Sequence, residues 1–289
     1  MTGKTDLAAG LYLAPSPLGH LGDLTLRVIE TLGAADLVLA EDTRRSLKLL
    51  NHLGLRRPLI SYREQNHQRV WPRIARALAD GGRVVLLTDA GAPAVSDPGA
   101  ALARAVRAAG WKVLALPGPS AVITALSASG FEADRFSFAG FPPAGRRERR
   151  AFLASLARHP WTLVFFEAPH RLAESLADLA EIFGPRPAFL AREMTKLHEE
   201  FLAADLAALA GEVRLRPRKG EITLVVEAYQ GRDESSGPDP GELRRRAGLD
   251  PRPTKTLAAE LAAETGLGRR EIYRLILEAR RPDREENDP

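Results

Sequence analysis

The stretch of the 289-residue chain richest in potential chemistry is Thr88-Asp89-Ala90-Gly91-Ala92-Pro93-Ala94-Val95-Ser96-Asp97-Pro98-Gly99. Paired Asp, Pro and Gly make a rigid turn with small side chains, through which a flat or charged ligand can reach backbone N–H groups. The same residues would also cap a following helix, with Asp97 as N-cap and Pro98 at the first helical position. Three other segments set alternating charges after an apolar run: Glu41-Asp42-Thr43-Arg44, Glu167-Ala168-Pro169-His170-Arg171 and Arg192-Glu193-Met194-Thr195-Lys196. An acid beside a base in such a place either orients a substrate hydroxyl or closes a local ion pair. Arg146-Arg147-Glu148-Arg149-Arg150 follows Phe141-Pro142-Pro143, so it reads as a basic loop that grips phosphates while Phe138 or Phe141 stacks on a base. A solvated helix start has the same composition.

What is missing narrows the chemistry. With no cysteine, thiolate metal sites, disulfides and cysteine nucleophiles are excluded. The six histidines show no HxH or HExxH spacing, and no metal site is expected. Neither GxxxxGK[ST] nor a GxGxxG after the first strand is present, which argues against a P-loop enzyme and the usual dinucleotide fingerprint. No apolar run reaches the roughly 18 residues that span a bilayer. Residues 1–19 read poorly as a secretory signal, so a cytosolic location is expected. The net charge of +4, carried mostly by arginine, suits contacts with phosphate.

The elements that must position these segments follow from apolar spacing. Strands are predicted at 11–14, 36–40, around Ile60, 84–87 and 113–116, alternating with helices at 25–32, 46–53, 70–79 and 100–109. That rhythm defines an α/β domain whose ligand loops lie at the carboxyl ends of the strands. Pro117-Gly118-Pro119-Ser120 ends it, giving an N-terminal domain over 1–118. A second α/β domain over 119–230 follows, with helices at 122–129, 151–157, 172–183 and 202–210 and strands at 136–139, 162–166, 188–191 and 221–227. Residues 231–241 read as a linker, and 255–265 and 269–281 as two tail helices separated at Gly266, so that 231–289 forms a linker and a small C-terminal helical module.

In order along the chain, Leu11-Tyr12, Pro17-Leu18-Gly19-His20-Leu21-Gly22-Asp23, Ala40-Glu41-Asp42-Thr43-Arg44, the loop from Asp89 to Gly99, Pro117-Gly118-Pro119-Ser120-Ala121 and Leu126-Ser127-Ala128-Ser129-Gly130 form a characteristic series. It continues through Phe136-Ser137-Phe138-Ala139-Gly140-Phe141-Pro142, Glu167-Ala168-Pro169-His170-Arg171, Ala191-Arg192-Glu193-Met194-Thr195-Lys196, Lys219-Gly220-Glu221-Ile222 and Ile272-Tyr273-Arg274-Leu275. The series resembles the tetrapyrrole (corrin/porphyrin) methylase superfamily, and within it the branch that methylates small-subunit ribosomal RNA. The resemblance implies a two-domain α/β fold holding S-adenosylmethionine between its domains, usually as a homodimer. It implies methylation of the ribose 2′-oxygen of a cytidine in the decoding region of 16S rRNA, either naked or in the 30S particle. Carried over by position, the cofactor site would use Pro17, Asp89, Gly91, Ala92, Pro93, Ser120, Ala121, Phe166, Arg192 and Glu221. The sequence departs from the family at Ala14-Pro15-Ser16-Pro17 and at Ala92, where a hydroxyl commonly sits.

Methyl transfer needs alignment above all, worth on the order of 7–11 kcal/mol. Asp42 or Glu193 is expected to take the hydroxyl proton or orient the hydroxyl, with Lys196 and Arg44 offsetting charge on the oxygen. Phe141, Arg146, Arg147, Arg149 and Arg150 are the expected RNA contacts. Two rival readings stay open. One is the same fold acting on a tetrapyrrole precursor; the other is a non-enzymatic nucleic-acid-binding regulator using the helix-turn-helix-like spacing of residues 257–277.

Overall fold

The computed structural model describes residues 7–231, 240–265 and 268–280, which group into two compact units, Met1–Tyr229 and Gln230–Pro289. In the larger unit, β1 (Gly10–Ala14), β2 (Leu37–Ala40), β3 (Leu59–Ser61), β4 (Arg83–Leu87) and β5 (Val113–Ala115) form a parallel sheet ordered β3-β2-β4-β1-β5. Successive side chains of a strand point to opposite faces, and β4 shows it directly. Val85 and Leu87 pack with Val28 and Leu32 of α1 (Leu26–Gly33) and Leu49 and Leu50 of α2 (Thr43–His52). Val84 and Leu86 pack with Ile74 and Leu78 of α3 (His67–Ala79) and Leu102 and Val106 of α4 (Ala100–Ala108) on the other face. Burial on both faces is why these strands read as unbroken apolar runs, each Val or Leu contributing about 1.5–3 kcal/mol. Because every strand is parallel, the loops after β1, β2, β4 and β5 all emerge along one edge of the sheet.

The second sheet is mixed. β6 (Phe136–Gly140), β7 (Thr162–Glu167), β8 (Pro187–Arg192), β9 (Glu200–Asp205) and β10 (Ile222–Val226) run in the order β6-β7-β10-β8-β9, with only the β6–β7 pair parallel. Val122, Ala125 and Leu126 of α5 (Ala121–Ser129) cover one face through Val164, Phe189 and Val225. Leu153 of α6 (Arg146–Leu156), Leu176 of α7 (Leu172–Phe183) and Leu209 of α8 (Leu206–Leu215) cover the other through Leu163, Phe165 and Leu224.

Three expectations are corrected here. The helix expected over 202–210 is two elements: Glu200–Asp205 pairs antiparallel with β8, and Asp205 then caps α8 by accepting from Ala208 N at 2.8 Å. The spacing of Leu202, Leu206 and Leu209 mimicked one helix, but burial alternates along 200–205 as it does in a strand with one covered face. The basic run Arg146-Arg147-Glu148-Arg149-Arg150 is the first turns of α6 rather than a loop. Asp97 and Pro98 do not open a helix, since α4 begins at Ala100 with Gly99 as its N-cap.

In the smaller unit, α9 (Pro240–Leu249), α10 (Thr254–Thr265) and α11 (Arg269–Ala279) pack around Leu243, Leu257, Leu261, Ile272 and Ile276. The module therefore holds a third helix, opened by Pro240 and Gly241 where a linker was expected. Residues 232–239 of that linker, the stop at Gly266 and the tail-helix end at Arg281 lie outside the described residues. Among the described residues no helix is long and apolar enough to cross a membrane.

Candidate active site

Hydrogen bonds stitch the loop after β1 to the loop after β4. Ser16 N donates to Gly91 O at 2.9 Å and Gly91 N to Ser16 O at 2.8 Å. The Ser16 hydroxyl donates to Thr88 O at 2.7 Å, and the Thr88 hydroxyl to Gly91 O at 3.0 Å. So anchored, the loop sends its tip, Val95-Ser96-Asp97, into a cleft of about 310 Å³ at the strand ends of the first sheet, closed on the far side by residues of the second. Asp89, Ala121, Phe141, Phe166, Met194 and Glu221 line it as well. Gly99 closes the loop at φ 140°, where an added Cβ would meet Leu86 Cδ2 at 2.7 Å, so only glycine turns the chain into α4 there. Gly220 (φ 99°) abuts the Glu193 side chain in the same way on the opposite wall.

Backbone strain concentrates around this cleft. Among the described residues, the non-glycine residues with positive φ are Ala94 (65°), Ser96 (59°), Glu193 (49°) and Thr195 (64°). All four sit in two turns, one in the loop after β4 and one after β8. Such conformations cost of order 1–3 kcal/mol each and persist where surrounding contacts or function hold them. The turn after β8 is tied to the loop after β1, for His20 N donates to Thr195 Oγ1 at 3.0 Å.

The electrostatics of the cleft divide its acids into two kinds. Glu167 is buried and satisfied: Arg171 lies 2.6 Å from it, the Ser175 hydroxyl donates to it, and Ala168 N donates at 2.7 Å. Lys196 Nζ bridges Glu193 at 2.8 Å and Glu221 at 3.0 Å. Burial alone would raise the Glu193 carboxyl, but the hydrogen bonds from Lys196 and Glu221 N override it and hold it below its usual range. Among the described residues Asp97 has no such partner. Burial first, and then the charges of Glu41, Asp89 and Glu221, push its carboxyl up to about 7.

Asp89, Ala121, Phe166 and Glu221, expected as cofactor contacts, line one cleft, and Phe141, expected as an RNA contact, lines the same cleft. Pro17 lines an adjoining pocket of about 250 Å³ that shares Asp89 and Arg45 with the cleft. Glu193 and Lys196 stand at the rim through Glu221. Other expected residues act one step away. Gly91 and Pro93 are buried and, with Ala92, shape the loop without lining the cleft. Ser120 caps α5, and Arg192 is committed to Glu200 at 2.8 Å and to Lys219 O at 3.1 Å. Asp42 caps α2 by accepting from Arg44 N at 2.9 Å, and the Arg44 side chain grips it, holding its carboxyl down at about 2. Asp42 N in turn donates to Asp89 Oδ1 at 3.2 Å, so this pair orients a cleft residue and does not line the cleft itself.

Arg149 requires a correction as an RNA contact. Its side chain is 1% exposed and ion-paired with Asp178 at 2.8 Å, because α6 lays it against α7. Arg150 is likewise held by Asp178 and Glu181; Arg146 is exposed but lies 3.7 Å from Asp178, and Arg147 is exposed. Leu18, Arg45, Val95, Ser96 and Met194 also line the cleft, none of them expected from the sequence, and so does Asp97, expected there as a helix cap. The available signal was the length of the 88–99 loop, since a helix cap does not need so many residues between strand and helix.

The profile of the tetrapyrrole (corrin/porphyrin) methylases matches residues 10–210. The chain belongs to this family of methyltransferases. It is 44% identical over 267 residues to the ribosomal RNA small subunit methyltransferase I of Xylella fastidiosa, covering 91% of this chain and 97% of the relative. The protein of the same name from Escherichia coli O157:H7 is 40% identical, with 93% and 94% covered. That of Thermotoga maritima is 42% identical over 220 residues, 76% of this chain but 99% of the relative. Among solved structures, a uroporphyrin-III-C-methyltransferase from Thermus thermophilus (TM-score 0.55, 24% identity) covers 76% of this chain and 94% of its own. A cobalt precorrin-4 methyltransferase (TM-score 0.59, 18% identity) covers 75% and 94%; both share the fold.

Proposed function

We propose that this protein transfers a methyl group from S-adenosylmethionine to a ribose hydroxyl of small-subunit ribosomal RNA, the acceptor being a cytidine of the decoding region. The observation that carries the reading is the cleft at the strand ends of the first sheet, with its excess of carboxylates and its apolar walls. Asp89, Asp97 and Glu221 face two cations, Arg45 at 3.8 Å from Asp89 and Lys196 at 3.0 Å from Glu221, and among the described residues neither is paired with Asp97. Leu18, Val95, Phe166, Met194 and Ile222 supply apolar surface. A cationic sulfonium nucleoside fits that lining: apolar residues for the base, carboxylates for the ribose hydroxyls, the ammonium and the sulfonium charge. A tetrapyrrole precursor, itself rich in carboxylates, would meet like charge here, and the curated relatives at 40–44% identity carry the ribosomal RNA name. A Thermotoga maritima relative of that name is about as long as the larger unit alone, so the regulator reading, which assigns the function to the helical module, is disfavoured.

When bound, S-adenosylmethionine supplies an electrophilic methyl carbon on a positive sulfur that departs as a neutral thioether. The chain's part is to align the hydroxyl and receive its proton. Asp42 and Glu193 are weak proton acceptors, one gripped by Arg44 and the other by Lys196. Asp97, its carboxyl pushed up to about 7 by burial and the neighbouring carboxylates and lining the cleft, is the carboxylate suited to accept the proton, and Lys196 at the rim offsets charge on the oxygen. Assembly as a homodimer is part of the same reading and is checked by light scattering. The test of the whole is calorimetry with S-adenosylmethionine and its demethylated product, followed by mapping of alkali-resistant riboses in small-subunit RNA. Micromolar uptake and one new resistant ribose are expected; absence of nucleoside binding sinks the proposal.

A further inference from the structure

Next to the cofactor cleft lies a second and larger cavity, about 540 Å³, lined by Glu41, Ser61, Arg63, Glu64, Gln65, Asn66, Arg69 and Pro98. The two adjoin: Pro98 lines one and Asp97 the other, and Glu41 stands close enough to Asp97 for its charge to act there. The frame of this cavity is fixed. Tyr62 is fully buried with its hydroxyl 3.0 Å from His67 Nδ1, Asn66 Nδ2 donates to Ser61 O at 3.1 Å, and Arg63 N donates to Asn66 Oδ1 at 2.9 Å. Gly99 N donates to Glu64 Oε1 at 3.1 Å, fastening the frame to the loop that carries Asp97. Most of the arginines around the cleft and on α6 are committed to carboxylates, as Arg44, Arg45, Arg149, Arg150, Arg171 and Arg192 are. Arg63 and Arg69 are not: both are exposed, and neither has a carboxylate partner among the described residues.

A fixed frame bearing two uncommitted guanidinium groups is pre-organised for an anionic ligand, since the protein pays no ion-pair breakage on binding. The same lining carries two carboxylates, Glu64, which accepts from Gly99 N, and Glu41, which suits a hydroxyl or amino donor. We propose that this cavity receives the nucleotide of a single-stranded RNA that offers its ribose to the cofactor cleft, Arg63 and Arg69 holding the phosphodiesters that flank it. The proposal rests on the methyltransferase reading above and adds the acceptor site to it. Gln65 gives an adaptable amide to the base edge, and Glu41 takes the end nearest the reacting hydroxyl.

The experiment compares wild type with the double variants Arg63→Ala/Arg69→Ala and Arg63→Lys/Arg69→Lys, using purified small ribosomal subunits that lack the modification. The alanine pair is expected to raise KM for subunits by about tenfold or more, leaving kcat and the calorimetric affinity for S-adenosylmethionine unchanged. Loss of two phosphate contacts should also flatten the salt dependence of RNA binding by about 1.4 in log–log slope. The lysine pair keeps the charge and should restore the slope while recovering KM only in part. An unaltered KM and slope in the alanine pair overturns the proposal, as does a parallel loss of cofactor affinity, which would move these arginines to the other site. If wild type fails to bind S-adenosylmethionine, the methyltransferase reading falls by itself, and the salt slope for RNA still judges the cavity.

Discussion

Asp97 is half-buried at the tip of the loop after β4 and Asp178 is buried on α7, and their surroundings are opposite. Asp178 is 3% exposed and meets Arg149 at 2.8 Å and Arg150 at 2.9 Å. Burial would raise its carboxyl, but those two guanidinium groups hold it below the usual range. Around Asp97 the nearby charges that act on it are carboxylates, so burial and repulsion work in the same direction. Where a helix pair must pack against a charge, the fold supplies the counter-charge; where a loop must face a ligand, it leaves the charge for the ligand to satisfy. A cationic cofactor would complete at Asp97 what arginine completes at Asp178.

The sharpest way to break this comparison is to remove each charge in turn. Asp97→Asn is expected to lower turnover by about 10²–10⁴-fold in a single-turnover methylation assay, the range for a lost proton acceptor, with no loss of folding stability at pH 8. Wild-type turnover in that variant would strip Asp97 of its role. Arg149→Ala is expected to destabilise by about 3–5 kcal/mol because Asp178 stays buried beside a weakened set of partners. By calorimetric melting that corresponds to a fall of roughly 6–20 °C for a unit of the size of Met1–Tyr229, which holds Arg149. Replacing Arg149 by Met together with Asp178 by Leu should recover most of the loss, since a packed apolar pair needs no counter-charge. If Arg149→Ala melts with wild type, the helix pair does not depend on the ion pair.

The smallest and most diagnostic effects are in pH. In the folded protein Asp97 binds its proton more tightly than in the unfolded chain, where an Asp titrates near 3.9. Between about pH 4 and pH 7 the native state therefore holds more protons, and stability contributed at this site is lost as pH rises through that window. Asp178 has the reverse sign: its contribution is present above the usual carboxylate range and is lost as pH falls through its depressed value. Denaturant midpoints of Asp97→Asn and wild type should converge toward pH 4 and separate toward pH 8. In kinetics, kcat/KM should rise with pH about a midpoint near 7, and kcat about a lower one, because a bound cation favours the ionised carboxylate. A flat wild-type profile would separate Asp97 from the chemistry.

Much of this was legible in the chain itself. The first sheet was, since strands buried on both faces leave continuous apolar runs such as Val84 to Leu87 and end at Gly and Pro turns. So was the identity of the loops, because their residue types and order are local properties. The strand β9 was not, as Leu202, Leu206 and Leu209 satisfy a helical period and only pairing with β8 shows the break at Asp205. Nor was the difference between Arg147 and Arg149, neighbours of the same type, one exposed and one wrapped by α7.

From residue order alone, the protein's family, the first sheet, most helices and the ligand-bearing loops were determined, because backbone preference and apolar period act over a few residues. Which carboxylates are neutralised and which are left unpaired was decided only when distant segments met. Charge interacts through space, and Glu41, Asp89 and Glu221 reach Asp97 from three separate strand ends.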